Sequence, residues 1–208
     1  MNHASKKTQD MVKLALFSGI IVVLAMTPLG YVPLGVIRAT TIHIPVILGS
    51  ILLGWKAGAF LGGLFGLTSL VINTMTPNLT SFVFTPFYSM GETGGNLWSL
   101  VVCFVPRILI GIVAFWAYQG VKRLIKSDVV ALGAAGFLGS MTNTVLVMNM
   151  IYLFFGDSWG AAKNIAPDMV YKTILAVIAT NGVPEAIVAM LVTAAVGKVL
   201  LALKRKDG

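Results

Sequence analysis

Six apolar segments set off by polar gaps constrain this chain more than anything else in it. Residues 11–29, 42–53, 57–74, 96–118, 129–155 and 168–203 read as spans 1 to 6, because about 20 apolar residues at 1.5 Å rise cross a hydrocarbon core as a helix. Eleven of the fifteen Lys and Arg residues fall at one set of span ends: Lys6, Lys7, Lys13, Lys56, Lys122, Arg123, Lys126, Lys198, Lys204, Arg205 and Lys206. Positive charge collects on the cytoplasmic side, so both termini are predicted cytoplasmic. The expected architecture is an all-α membrane protein, one domain over residues 1–208, with six transmembrane helices in one bundle in the cell membrane.

Composition agrees. With 57% apolar and 11% charged residues the chain falls far from soluble domains, in which about a quarter of residues are charged. The net charge of +8 does not point to nucleic acid, because the cations anchor span ends and form no solvated stripe. Cys103 is the single cysteine, so no intrachain disulfide or cysteine metal site can form. Span 1 is not a signal peptide, since Thr27-Pro28-Leu29-Gly30 offers no small-x-small cleavage site.

Within the spans, several features carry local expectations. Span 2 is too short to cross alone and is expected to be interrupted by Pro45. Residues 75–95, with Phe82, Phe84, Phe87 and Tyr88, are expected to form an ordered lid over the outer mouth. Gly156–Gly160 reads as an outer turn, Asp168 as the cap of span 6, and Gly182 with Pro184 as a bend in it. Gly58, Gly62 and Gly66 recur every four residues and make one face of span 3 smooth enough for close helix packing.

Catalytic constellations are scarce. There are two glutamates, Glu92 and Glu185, and two histidines, His3 and His43, with no His-Glu-x-x-His and no P-loop. The chain is therefore read as a binder and not an enzyme, with no cofactor or metal. Arg38, His43, Asn96, Asn143, Asn181 and Lys172 are the candidate ligand contacts, since buried polar groups must be paired and asparagine offers both donors and an acceptor. Interhelical hydrogen bonding is the competing role for each. Asn143 and Asn149 lie about 120° apart around span 5, so at least one is structural. Arg107, after Pro106, is expected to pair with Glu185 or Glu92. Asn181, beside the bend at Gly182, is the foremost binding candidate. A solitary secondary transporter is the rival class, but no internal repeat is visible.

Ile44-Pro45-Val46-Ile47-Leu48-Gly49-Ser50-Ile51-Leu52-Leu53-Gly54-Trp55-Lys56-Ala57-Gly58-Ala59-Phe60-Leu61-Gly62, followed by Gly66-Leu67-Thr68-Ser69-Leu70, resembles the substrate-binding S components of energy-coupling factor (ECF) vitamin transporters. Pro106-Arg107-Ile108-Leu109-Ile110-Gly111 is similar to a motif of that family, and the stretch from Arg38 to Pro45 looks most like its pantothenate branch; riboflavin, folate and hydroxymethylpyrimidine types are near rivals. The resemblance implies a high-affinity vitamin-binding subunit of an ATP-driven importer in the bacterial plasma membrane, partnered by a membrane scaffold subunit and two ATP-binding cassette ATPases. It also implies an Ala-x-x-x-Ala contact with the scaffold, which here would fall on Ala15 and Gly19, with glycine replacing the second alanine. For a pantothenate ligand, Arg38 or Lys172 would neutralise the carboxylate, with Asn181, Asn143 and His43 on the polar middle.

Overall fold

The computed structural model describes residues 5–34, 37–90 and 93–206, with backbone alone for 31–34, 37–39, 90, 93, 205 and 206. Its helices are α1 (Lys6–Met26), α2 (His43–Leu53), α3 (Trp55–Met75), α4 (Leu97–Ile125), α5 (Asp128–Ala162), α6 (Val170–Val177) and α7 (Val183–Lys206). A π-helical turn, Ile178–Gly182, joins α6 to α7, so these two form the last rod of a six-rod bundle. Five rods are long and apolar enough to cross a bilayer, while α2 has 11 residues and does not. Two short antiparallel hairpins interrupt the helical pattern: β1 (Tyr31–Leu34) with β2 (Ile37–Thr40), and β3 (Ser89–Met90) with β4 (Thr93–Gly94).

Both described ends of the chain meet at one end of the bundle. Lys204 Nζ donates to the Leu52 carbonyl at 2.6 Å, and Lys6 and Lys7 share a surface cleft with Leu53 and Ala57. The hairpins occupy the opposite end. Large apolar side chains such as Leu153, Leu191 and Phe60 stand exposed around the rods, as a lipid solvent requires.

Several local expectations need correction. Pro45 does not interrupt α2: it is the third residue of the helix, where a backbone N–H would have no intrahelical partner anyway. Residues 156–160 are not a turn, because α5 continues through a kink at Phe155 to Ala162. Helix α4 likewise runs on through the basic segment to Ile125, where Lys126 in the left-handed conformation ends it. Asp168 caps nothing; it lies in a 3₁₀ turn, Pro167–Met169, and α6 starts behind Met169 without a side-chain cap.

The smooth face of α3 packs inside the molecule. A Cβ at Gly62 would collide with the Arg107 carbonyl, one at Gly58 with Ser50 and Gly111, and one at Gly66 with Phe104, so α3 and α4 touch backbone to backbone. That contact fixes the depth of Arg107. At the far side, Gly182 lies against Thr144, which brings the π turn onto α5 beside Asn143.

Among its described residues, the 75–95 segment is folded against the bundle. Phe82 and Val83 are fully buried, and Phe82 meets Phe155 edge-on at 6.0 Å. Ser81 Oγ donates to Asn73 Oδ1 at 2.8 Å and Ser99 Oγ donates to the Phe82 carbonyl at 2.7 Å, pinning the segment between α3 and α4. Phe87, by contrast, projects outward, 76% exposed.

Candidate functional site: a buried acid, imidazole and guanidinium beneath the lid

Proline placement builds the centre of the site. Pro106 has no N–H to give to the carbonyl four residues earlier, which would leave the Val102 oxygen orphaned inside α4. Arg107 Nη1 donates to that oxygen at 2.8 Å, so the adjacent arginine repairs what the proline breaks. Its guanidinium is 7% exposed as a residue and sits over two aromatic rings, Phe84 of the lid at 5.1 Å and Phe65 of α3 at 5.7 Å. Cation–π contact offsets part of the cost of holding a cation at this depth.

The same logic applies at Pro184. A proline in the second position of α7 cannot continue the α-helical ladder from the preceding turn, and the chain accommodates it as the π turn Ile178–Gly182. Glu185 follows immediately and points inward, 9% exposed. Thr40, the last residue of β2, lies beside its carboxylate. His43, the first residue of α2, brings Nδ1 to 3.5 Å from Glu185 Oε1 while staying 1% exposed. Arg107 is near enough to Glu185 for the two charges to be felt across the site.

This cluster has unused hydrogen-bonding capacity. Among the described residues, both imidazole nitrogens of His43 and Oδ1 of Asn143 are buried without a hydrogen-bond partner. Buried polar atoms are nearly always paired, so the unpartnered imidazole nitrogens beside the Glu185 carboxylate, and the unpartnered oxygen of Asn143 next to the residue that packs on Gly182, leave capacity for a polar guest. The cluster draws on β2, α2, α4, α5 and α7, which is why no single stretch of sequence advertises it.

The sequence candidates divide on inspection. His43 and Asn143 fall in the cluster, and Asn181 lies half-buried in the π turn next to it. Asn96 is exposed and caps α4, its Oδ1 accepting from the Trp98 N–H at 2.8 Å with Ser99 completing the capping box. Lys172 is exposed on α6. Arg38 pairs with Pro33 across the first hairpin, and its side chain lies outside the described residues, as do Glu92 and His3. Asn149 donates to the Val145 carbonyl of its own helix at 2.8 Å. Arg107 and Glu185, read from the sequence as partners, both border this cluster, and each stands directly beside a proline in a membrane span. Ala15 and Gly19 lie exposed on α1, and a Cβ at Gly19 would meet nothing within 4 Å.

A lipid-embedded bundle that buries an acid, an imidazole and a guanidinium under a folded lid has the layout of a membrane transport component. Sequence comparison agrees: the profile of the family described as ECF transporter, substrate-specific component, matches residues 9–197. The chain is 38% identical over 196 residues to the pantothenic acid transporter PanT of Lactococcus lactis subsp. cremoris, covering 91% of this chain and 92% of that protein. It is 29% identical over 216 residues to the pantothenate transporter PanT of Leuconostoc mesenteroides subsp. mesenteroides, covering 99% and 98%. This protein belongs to the family of ECF transporter substrate-specific components, and it is a multi-pass protein of the bacterial cell membrane.

Proposed function

We propose that this chain is the pantothenate-binding subunit of an ECF importer, taking up the vitamin at the hairpin end of the bundle. One observation carries the reading: the buried cluster of His43, Glu185, Arg107 and Asn143 offers a cation, an anion and orphaned donors and acceptors to a ligand that has a carboxylate, two hydroxyls and an amide. The names of the two relatives support the same vitamin. In this reading Asn181 joins the pocket wall, and Arg107 takes the charge-neutralising role for which Arg38 and Lys172 were candidates. The termini face the cytoplasm, in keeping with the eleven cations at that end.

The subunit binds and does not hydrolyse ATP, so transport needs a scaffold subunit and two ATPases. The exposed Ala15 and Gly19 on α1 are the proposed scaffold contact, because small residues let a partner helix approach closely. A neighbouring apolar groove of about 510 Å³ between α1 and α3, lined by Val22, Met26, Leu64, Val71 and Met75 among others, extends that face. Mass spectrometry of small molecules released from the purified subunit tests the vitamin: pantothenate is expected, and recovery of a flavin or a folate instead would replace it.

A further inference from the structure

We propose that the cleft between the start of α1 and the α2–α3 junction, at the end of the bundle where the termini meet, binds one anionic phospholipid. The cleft holds about 420 Å³ and is lined by Lys6, Lys7 and Asp10 at the start of α1 and by Met11, Leu14 and Leu53 further in. On α1 the exposed large apolar side chains begin at Met11 and Val12, both more than 60% exposed. Lys6 and Lys7 stand four and five residues before Met11, about 6–8 Å further out along the axis. Two ammonium groups therefore sit at headgroup depth above apolar side chains. On the neighbouring wall, exposed Trp55, with Lys56 Nζ 5.7 Å from its ring centroid, marks the same boundary between bilayer and water. A phosphodiester carried on acyl chains has the same order of chemistry along the same line.

Orientation by positive charge does not account for the pair. At the same end of the bundle Lys122 is held by Asp128 at 2.7 Å and by the Lys126 carbonyl at 2.9 Å, and Lys204 by the Leu52 carbonyl at 2.6 Å. Lys6 and Lys7 form no ion pair among the described residues. Asp10 is the one acid on the cleft wall, and Lys6, Lys7 and Lys13 all lie three or four residues from it on the same helix, so cations outnumber it three to one. Basic clefts between spans at the cytoplasmic surface suit anionic lipid headgroups. Lys7, Met11, Ala15 and Gly19 follow at intervals of four, so the cleft is the inner end of the α1 face proposed above for the scaffold. The lipid occupies it in the solitary subunit. Nothing in this assignment depends on which vitamin the buried cluster takes.

The test is native mass spectrometry of the subunit purified alone in detergent and titrated with dioleoylphosphatidylglycerol or dioleoylphosphatidylcholine, which share their acyl chains and differ in net charge. The first phosphatidylglycerol should bind about tenfold or more tighter than phosphatidylcholine. Lys6→Gln with Lys7→Gln should weaken phosphatidylglycerol by about tenfold to thirtyfold and leave phosphatidylcholine unchanged. Arg123→Gln with Lys198→Gln removes the same charge from the same end at residues that do not line the cleft, and should leave phosphatidylglycerol within about twofold. Equal binding of the two lipids by the parent overturns the site without needing any variant to fold. An equal loss of phosphatidylglycerol in the two double variants also overturns it, because the attraction then comes from the diffuse field of that surface. Displacement of the lipid by inorganic phosphate at comparable concentration would make the ligand a soluble anion and overturn the lipid assignment.

Discussion

His43 Nδ1 lies 3.5 Å from Glu185 Oε1, and both side chains are buried between the start of α2 and the start of α7. The two residues are 142 positions apart in sequence, and the first hairpin ends beside them at Thr40, next to the same carboxylate. The ligand site and the packing of the hairpin on α7 are therefore one structure. Perturbing one should perturb the other.

Thr40→Val keeps the volume of the side chain and removes the hydroxyl that stands beside Glu185. A hydrogen bond to a charged group contributes about 1.5–3 kcal/mol, so pantothenate affinity should fall by roughly tenfold to a hundredfold. Titration of the purified variant checks this, and an unchanged affinity would show that Thr40 does not hold Glu185 for the ligand.

The α3–α4 contact makes a sharp steric prediction. Gly62→Leu drives a side chain into the Arg107 carbonyl and should destabilise the protein by about 1–3 kcal/mol or more, whereas Gly63→Ala, whose Cβ would meet only Ile108 Cγ1 at 4.0 Å, should be tolerated. Thermal unfolding in detergent, compared between the two neighbours, separates this from a general intolerance of α3 to bulk.

Gly19→Leu is predicted to leave ligand binding intact, since nothing in the bundle lies within 4 Å of that position. If the α1 face meets the scaffold, the same substitution should abolish co-purification with the scaffold and ATPases. Retained assembly would assign the scaffold contact to another face.

At the opposite end, Lys122 Nζ and Asp128 Oδ1 form an ion pair at 2.7 Å, with the Tyr118 hydroxyl on the same oxygen at 3.0 Å. The charges are partly exposed, so Asp128→Asn should cost about 1 kcal/mol or less, and the loss should shrink further at high salt. Melting curves at low and high salt measure it. A large, salt-independent loss would mean that this turn bears more of the fold than its exposure implies.

Much of the fold was legible because lipid enforces simple rules. Span length, the one-sided cations and the Gly58-Gly62-Gly66 face each report a constraint that acts locally along one helix. What the sequence hid was context. Pro45 looks like a breaker until the helix is seen to begin only two residues earlier, and Asp168 looks like a cap until the helix start moves past it. Residues 156–160 look like a turn because Gly, Asp and Ser favour one, yet α5 absorbs them after its kink at Phe155. The site was legible by half. His43, Asn143 and Asn181 stood out as polar residues in apolar runs, but Asn96 carries the same signal and spends it on a helix cap. Distinguishing them takes the third dimension, since a cap and a ligand contact use the same amide.

The central claim is that the buried cluster beneath the lid holds pantothenate. Equilibrium titration of the purified subunit with the vitamin, in the absence of scaffold and ATPases, tests it most directly. The account predicts saturable binding of one molecule per chain, severely weakened by His43→Ala and by Asn143→Ala. Saturable binding that both substitutions leave untouched would contradict it.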